Sequence, residues 1–278
     1  MTPLQTNQFD LTHFDIGQHR VACPHCGRGG RDKTLGVSVK AIGDAVAHCF
    51  RCDFATGLRD RQRTYTPVIK PARHHEAKRE TLAPWAAALW RDCRPLSGVA
   101  LDYLKSRRCV IPPTDGDLRL HPALKHPTGH TGPALVGLVT HFETGVPMSL
   151  HRTWITATGK ADVTPNRMLL GGHTAKGGVI RLWPDEAVTQ GLAVGEGIES
   201  CLAFAHGFEP VWSAVSAGNM ADLPVLPGIE SLTVIGDADP AGAAAANALA
   251  DRWHKAGAYV QVVMPSQGDV NDYLMEAL

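Results

Sequence analysis

No apolar run in the sequence approaches the roughly 18 residues that a membrane-spanning helix requires. Residues 1–10 are polar and contain no apolar stretch of the kind a secretory leader carries. These two absences point to a cytoplasmic protein with no membrane partner. A phosphate-cradling P-loop, G-x-x-x-x-G-K-[ST], is also missing. Its nearest approximation, Thr158-Gly159-Lys160-Ala161, lacks both the preceding glycine and the terminal hydroxyl. There is no internal repeat, and no low-complexity segment beyond an alanine-rich stretch at 241–250. Cysteine is sparse and odd in number, seven in all. Four fall in two close pairs, which argues for metal binding in a reducing compartment rather than a disulfide framework.

What is present fits an ordinary folded protein. The 278 residues are 44% apolar and 19% charged, enough for one to three domains with a sizeable core. Net charge is zero, yet the charges are unevenly placed. Residues 1–110 carry 18 Lys/Arg against 10 Asp/Glu, while residues 111–278 carry 9 against 17. A basic front and an acidic back suit a protein that holds a polyanion at one end and metal ions at the other. A solvated basic linker would give the same totals.

The chain divides by pattern into four stretches. Residues 1–57 hold the cysteine pairs, with short strand-like runs between them. Residues 58–80 are basic, contain Pro67 and Pro71, and lack amphipathic periodicity, as a tether would. Residues 81–187 begin with two helices, one marked by Trp85, Leu89 and Trp90, the next by Leu101, Tyr103 and Leu104. They continue with β-type runs at 134–140, 148–155 and 179–183, as in a small mixed α/β subdomain. Residues 188–278 alternate regularly: strands at 192–195, 211–215, 231–236 and 259–264, helices at 197–206, 219–223, 241–256 and 270–277. Such alternation predicts a parallel sheet flanked by helices, and the whole is a multidomain α/β chain.

Cys23-Pro24-His25-Cys26 and Cys49-Phe50-Arg51-Cys52 form C-x2-C-x22-C-x2-C. Each pair presents two thiolates on one tight turn, and two such knuckles close a four-thiolate site for structural Zn²⁺. The four-cysteine module is expected to be a zinc ribbon that binds nucleic acid. Arg28, Arg31, Lys33, Lys40 and Arg51 would supply phosphate contacts. Phe50 and Phe54 either stack on bases or pack against the knuckles.

The strongest chemical signal lies near the C-terminal end. Leu192-Ala193-Val194 reads as a buried strand that runs directly into Gly195-Glu196-Gly197. Leu232-Thr233-Val234-Ile235 reads as a second, ending in Gly236-Asp237-Ala238-Asp239. Ligands of open α/β sheets bind in the crevice at the carboxyl ends of the strands. Glu196, Asp237 and Asp239 there make a hard-oxygen site suited to Mg²⁺ with substrate phosphates.

These residues, with Gly268-Asp269-Val270-Asn271-Asp272, resemble the three motifs of a Toprim domain, the fold shared by bacterial-type primases, type IA and II topoisomerases and some nucleases. A four-cysteine ribbon, a basic tether, a mixed subdomain and then Toprim is similar to the bacterial-type primases of phages and plasmids. The resemblance implies a DNA primase that makes short RNA primers on single-stranded DNA from NTPs with Mg²⁺ or Mn²⁺. It implies catalytic roles for Glu196, Asp237, Asp239 and Asp269, the first three also holding magnesium. It places Arg152 and Arg167 on template and nucleotide phosphates, with Lys176 and Lys160 behind them. With no helicase module in the sequence, it also implies a separate replicative helicase as partner, or that this chain is the front part of a larger one. The alternatives are a Toprim nuclease or topoisomerase-like enzyme, the latter needing a nucleophilic tyrosine, or a non-catalytic zinc/Toprim adaptor. Glu199 and Asp272 read equally well as helix N-terminal charges.

Overall fold

The computed structural model describes residues 9–26, 33–52, 54–58 and 78–276. The chain divides into two units, Met1–His74 and His75–Leu278. The first is an antiparallel four-stranded meander of β1 (Gly17–Val21), β2 (Leu35–Ala41), β3 (Asp44–Cys49) and β4 (Ala55–Leu58), paired in that order. Strict alternation places Leu35, Val37, Val39, Ala45, Ala47 and Cys49 on the buried face. Arg20, Lys40, Val46 and His48 lie on the exposed face. Among the described residues only eight form this core and two of them are cysteines, so their apolar burial alone gives the unit little stability. The stretch read as a tether falls almost wholly outside the described residues.

The second unit begins with α1 (Pro84–Asp92) and α2 (Val99–Ser106). Five strands follow: β5 (Leu118–Lys125), β6 (Thr131–His141), β7 (Pro147–Trp154), β8 (Arg167–Leu169) and β9 (Gly178–Arg181). Then strands and helices alternate through β10 (Gly191–Gly195), α3 (Ile198–Phe204), β11 (Val211–Ser213), α4 (Ala217–Asp222), β12 (Ser231–Ile235), α5 (Pro240–Lys255), β13 (Tyr259–Val263) and α6 (Val270–Glu276). The alternation expected from 191 onward is present throughout. Strands β13, β12, β10 and β11 are parallel, and β9 pairs antiparallel to β11 through Trp212 opposite Arg181. That pairing joins the earlier strands to the parallel ones in a single nine-stranded sheet, ordered β13-β12-β10-β11-β9-β6-β7-β8, with β5 on β6.

Strand order places the crevice. From β10 the chain crosses to β11 on one side, then returns past β10 to β12 and on to β13. The carboxyl ends of β10 and β12 are therefore the topological switch point, where adjacent connections diverge. On one face α2 and α3 pack with Ala193, Ile180 and Val211; on the other α4 and α5 cover Leu192, Val194, Leu232 and Val234. Helix α5 starts at this crevice because Asp239 caps it, accepting from Ala241 N at 2.9 Å and Gly242 N at 2.8 Å, with Pro240 at its first position. Arg252, His254 and Lys255 in its last turn complement the helix dipole. Among the described residues no helix is long and apolar enough to cross a membrane.

Candidate active site and metal centre

The four cysteines of the first unit meet. The Sγ atoms of Cys23 and Cys52 lie 3.8 Å apart and those of Cys26 and Cys49 3.6 Å apart. All four lie within 4.8 Å of one another. A tetrahedron with metal–sulfur bonds of ~2.3 Å has edges of about 3.8 Å, so the set fits Zn²⁺. Strand pairing makes this possible: Cys49 ends β3, and its backbone N–H is held by Phe54 O at 2.8 Å, closing the second knuckle. Burial pushes the Cys49 thiol up, but the backbone N–H groups of Arg51 and Cys52 outweigh it and hold it down at about 6. Cys26, hydrogen-bonded to Cys52 and desolvated, is pushed up to about 12. Thiols this close cannot all ionise without a cation among them. The other three cysteines are buried in the second unit.

Around this centre the two phenylalanines divide. Phe54 is partly buried on the core and stacks on His25 with ring centroids 5.5 Å apart. Phe50 is 64% exposed, under the Arg20 guanidinium at 4.3 Å. Arg20 was not among the basic residues singled out in the sequence, although strand alternation puts it on the same face as His48. Arg51 is exposed in the second knuckle, and Arg28 lies outside the described residues.

In the second unit Glu196 follows β10, Asp237 and Asp239 follow β12, and Asp269 precedes α6. They come from three loops at one end of the sheet. The Glu196 backbone oxygen accepts from Ser213 Oγ at 2.7 Å and Val215 N at 3.0 Å, while its carboxylate accepts from the Ala217 N–H at the start of α4. Val215 is held at φ 68° to make this turn, a conformation that costs a β-branched residue roughly 1–3 kcal/mol. Ala238 N donates to Gly268 O at 2.9 Å, tying the Asp237–Asp239 loop to the Asp269 loop. Glycine is required at 242, where a Cβ would stand 2.7 Å from the Asp237 carbonyl oxygen. Asp269 accepts from Asp272 N at 2.9 Å and so caps α6.

The charges act on one another. Desolvation, then the neighbouring Glu196, Asp269 and Asp239, push Asp237 up from its ordinary 3.8 to about 6, with Arg167 opposing. Desolvation and Asp239 likewise raise Glu196, again against Arg167. Asp237 Oδ1 is buried with no hydrogen-bond partner among the described residues. A buried, unpaired carboxylate oxygen among three other carboxylates is a donor set for a hard divalent cation. The oxygens are not drawn into a tight cage: among the described residues only the cysteines cluster within 4.8 Å. That looser arrangement suits Mg²⁺, which keeps several waters and takes one or two carboxylates plus phosphate oxygens.

These shifts fix a pH dependence for the metal-free protein. Asp237 has a folded-state pKa above its unfolded value, so its stabilising contribution is full below about pH 4 and is lost as pH rises through about 6. Asp237→Asn lacks that loss. Thermal melts in chelator should show the variant gaining on wild type between pH 4 and 7, and exceeding it at pH 7. Parallel curves would mean that the carboxylates do not repel as described.

Of the basic residues expected at this site, Arg167 is there. It begins β8, is exposed, and lines a cavity of about 160 Å³ with Glu196, Glu199, His151 and Ser213. Arg152 is not. On β7 it shares the face of Leu150 and Trp154, opposite the cavity; its guanidinium donates to Leu169 O at 3.0 Å and lies 5.5 Å from the Trp154 ring. Lys176 is exposed beside Thr174 and His141, away from the cavity. Lys160 reaches the cleft by pairing with Glu199 at 3.1 Å.

Glu199, in the first turn of α3, is more than a helix charge. It is buried, and Tyr103 Oη donates to it at 2.8 Å. Burial would push its carboxyl up, yet Lys160 and Tyr103 hold it down at about 2. Tyr103, fully buried and pushed well above the ordinary phenol range by desolvation and Glu199, is in no position to act as a nucleophile. Asp272 remains a first-turn acid, 3.7 Å from Arg107.

Residues 191–278 match the family model of the Toprim domain. This stretch is a Toprim domain. The Toprim domain follows a segment, residues 80–182, that matches a domain of unknown function (DUF7146). Comparison with curated proteins gave no match. Among solved structures, the chain is similar to the zinc-binding and RNA polymerase domains of the Aquifex aeolicus primase, at 16% identity and TM-score 0.45, over 94% of this chain and 76% of that one. It is similar to the primase fragment of the bacteriophage T7 primase-helicase, at 15% identity and TM-score 0.41, over 94% and 96%. It is similar to a DNA primase domain from Pseudomonas aeruginosa, at 15% identity and TM-score 0.36, over 65% of this chain and 56% of that one. The chain thus spans little more than half of the Pseudomonas structure. In the Toprim domain itself, the GEG and DAD motifs are the two loops at the switch point.

Proposed function

We propose that the protein is a DNA-dependent primase, a nucleotidyltransferase that joins NTPs into short RNA primers on single-stranded DNA. The observation that carries this reading is the group of carboxylates at the carboxyl end of a Toprim sheet, Glu196, Asp237 and Asp239 at its switch point and Asp269 on the next loop, with Arg167 acting on Glu196 and Asp237. Asp237 and Asp239, with Glu196, would hold Mg²⁺ or Mn²⁺, which when bound neutralises triphosphate charge. Arg167 binds the phosphates at the mouth of the cavity. The 3′-hydroxyl of one nucleotide attacks the α-phosphorus of the next; the new P–O bond forms, the α–β bridge bond breaks and pyrophosphate leaves. Glu196, raised by burial and by Asp239, takes the hydroxyl proton. Asp269 adds negative charge beside Asp237 that would help to hold a cation there.

The four-cysteine unit supports the same reading. Its exposed face carries Arg20, Lys40, His48 and Phe50, a mixture of cations and an aromatic ring suited to single-stranded nucleic acid. A single-stranded template implies a separate helicase that opens the duplex. The test is incubation of zinc-loaded protein with single-stranded DNA, labelled NTPs and Mg²⁺ or Mn²⁺. Labelled oligoribonucleotides are expected. Shortened DNA would make the protein a nuclease, and unchanged DNA without new product an adaptor.

A further inference from the structure

Among the polar side chains that line the cavity beside the carboxylates and take no part in nucleotidyl transfer, Glu199 and Ser213 are held by protein groups and His151 is not. His151 lies on β7 opposite Gly137, and a Cβ at 137 would stand 2.6 Å from Ile180 Cδ1. The missing side chain lets Ile180 cross the strand and pack beside the imidazole. The ring lines the cavity with Ile180, Ile198, Val215, Ser213, Glu196 and Arg167. Among the described residues its buried Nδ1 has no hydrogen-bond partner. With that nitrogen unpartnered, the ring can offer either a donor or an acceptor.

Three observations narrow what it meets. Glu199, a carboxylate of the same cavity, is already paired with Lys160 at 3.1 Å and bonded by Tyr103 at 2.8 Å. Desolvation, opposed by Glu199 and reinforced by Arg167 and Lys160, holds the imidazole down at about 4, so at neutral pH it is an uncharged group and a poor phosphate ligand. The cavity, about 160 Å³, is smaller than the roughly 300–1,000 Å³ of pockets that engulf a whole small molecule. An uncharged group that both donates and accepts, between apolar walls and beside a phosphate-binding arginine, matches a sugar hydroxyl.

We propose that His151 hydrogen-bonds the ribose of the nucleotide in the cleft and selects ribonucleotides over deoxyribonucleotides, an inference that rests on the nucleotidyl-transfer reading. A site that spends a buried polar group on a hydroxyl rejects the analogue lacking it.

The test is equilibrium binding of ATP and dATP to the zinc-loaded full chain in Mg²⁺. Wild type is expected to prefer ATP by at least about tenfold, the value of one hydrogen bond. His151→Phe, similar in volume but without ring nitrogens, should bring the ratio close to one by weakening ATP alone. Arg167→Ala should weaken both nucleotides together. Where thermal melting shows that His151→Phe has not folded, His151→Ala is read in its place. A folded variant that keeps the ATP preference, or a wild type without one, overturns this inference and leaves the nucleotidyl-transfer reading standing. Failure of wild type to bind either nucleotide removes both.

Discussion

Asp237→Ala is expected to lower primer synthesis by about 10³-fold or more while leaving affinity for single-stranded DNA within about twofold of wild type. Asp237 stands where β12 ends, its Oδ1 is buried without a partner, and the charges of Glu196, Asp239 and Asp269 all bear on it. Removing it takes away the carboxylate most deeply committed to holding a cation. DNA binding should survive because the proposed template contacts lie elsewhere, on the ribbon face. Asp239→Ala should behave similarly, with an added loss of stability on the order of 1 kcal/mol because Asp239 also caps α5. Glu196→Gln keeps the shape and the Ala217 N–H contact but can no longer accept a proton, so turnover should again be lost. Wild-type synthesis by Asp237→Ala at saturating Mg²⁺ would mean that this carboxylate set does not carry the chemistry.

The second large effect concerns the ribbon. Its core has eight residues, and structural Zn²⁺ supplies on the order of 10 kcal/mol to domains of this kind. Cys49→Ser should therefore unfold the first unit, and Cys23→Ser should do the same. Metal analysis is expected to give about one zinc per wild-type chain and close to none in either variant. Limited proteolysis should then cut within residues 9–58 while the His75–Leu278 unit keeps its own cooperative melt. A zinc-free protein with a protected ribbon would sink the four-thiolate assignment.

Both effects rest on features that are local in sequence. Two C-x2-C pairs announce two knuckles, because each pair must fold back on one metal. Strand and helix alternation after 190 is equally legible, since buried parallel strands are short apolar runs and small residues open the helices. Sequence reasoning weakened where tertiary pairing decides. Strand β5 was not read because Pro122 and a register shift between His121 and Leu124 break its alternation. The run expected at 211–215 ends at Ser213, as Val215 adopts a left-handed conformation that valine disfavours.

The basic residues of the middle region show both outcomes. The resemblance implies a phosphate contact for Arg152, yet the apolar positions 148, 150 and 154 already place it on the face that packs under α1. The same alternation points His151 the other way, so the signal for His151 was present in the period of the strand. Nothing local announces the Lys160–Glu199 pair, which joins residues 39 positions apart across the cleft. Glu199 alone looks like an ordinary first-turn acid.

The claim that the Toprim carboxylates form a divalent-cation site is tested most directly by counting the cation. Mn²⁺ binding to zinc-loaded protein, followed by electron paramagnetic resonance, should show Mn²⁺ that excess Mg²⁺ displaces. Asp237→Ala should lose that signal, whereas Asp251→Ala, on the exposed side of α5, should retain it. Equal Mn²⁺ binding by wild type and Asp237→Ala would contradict the account.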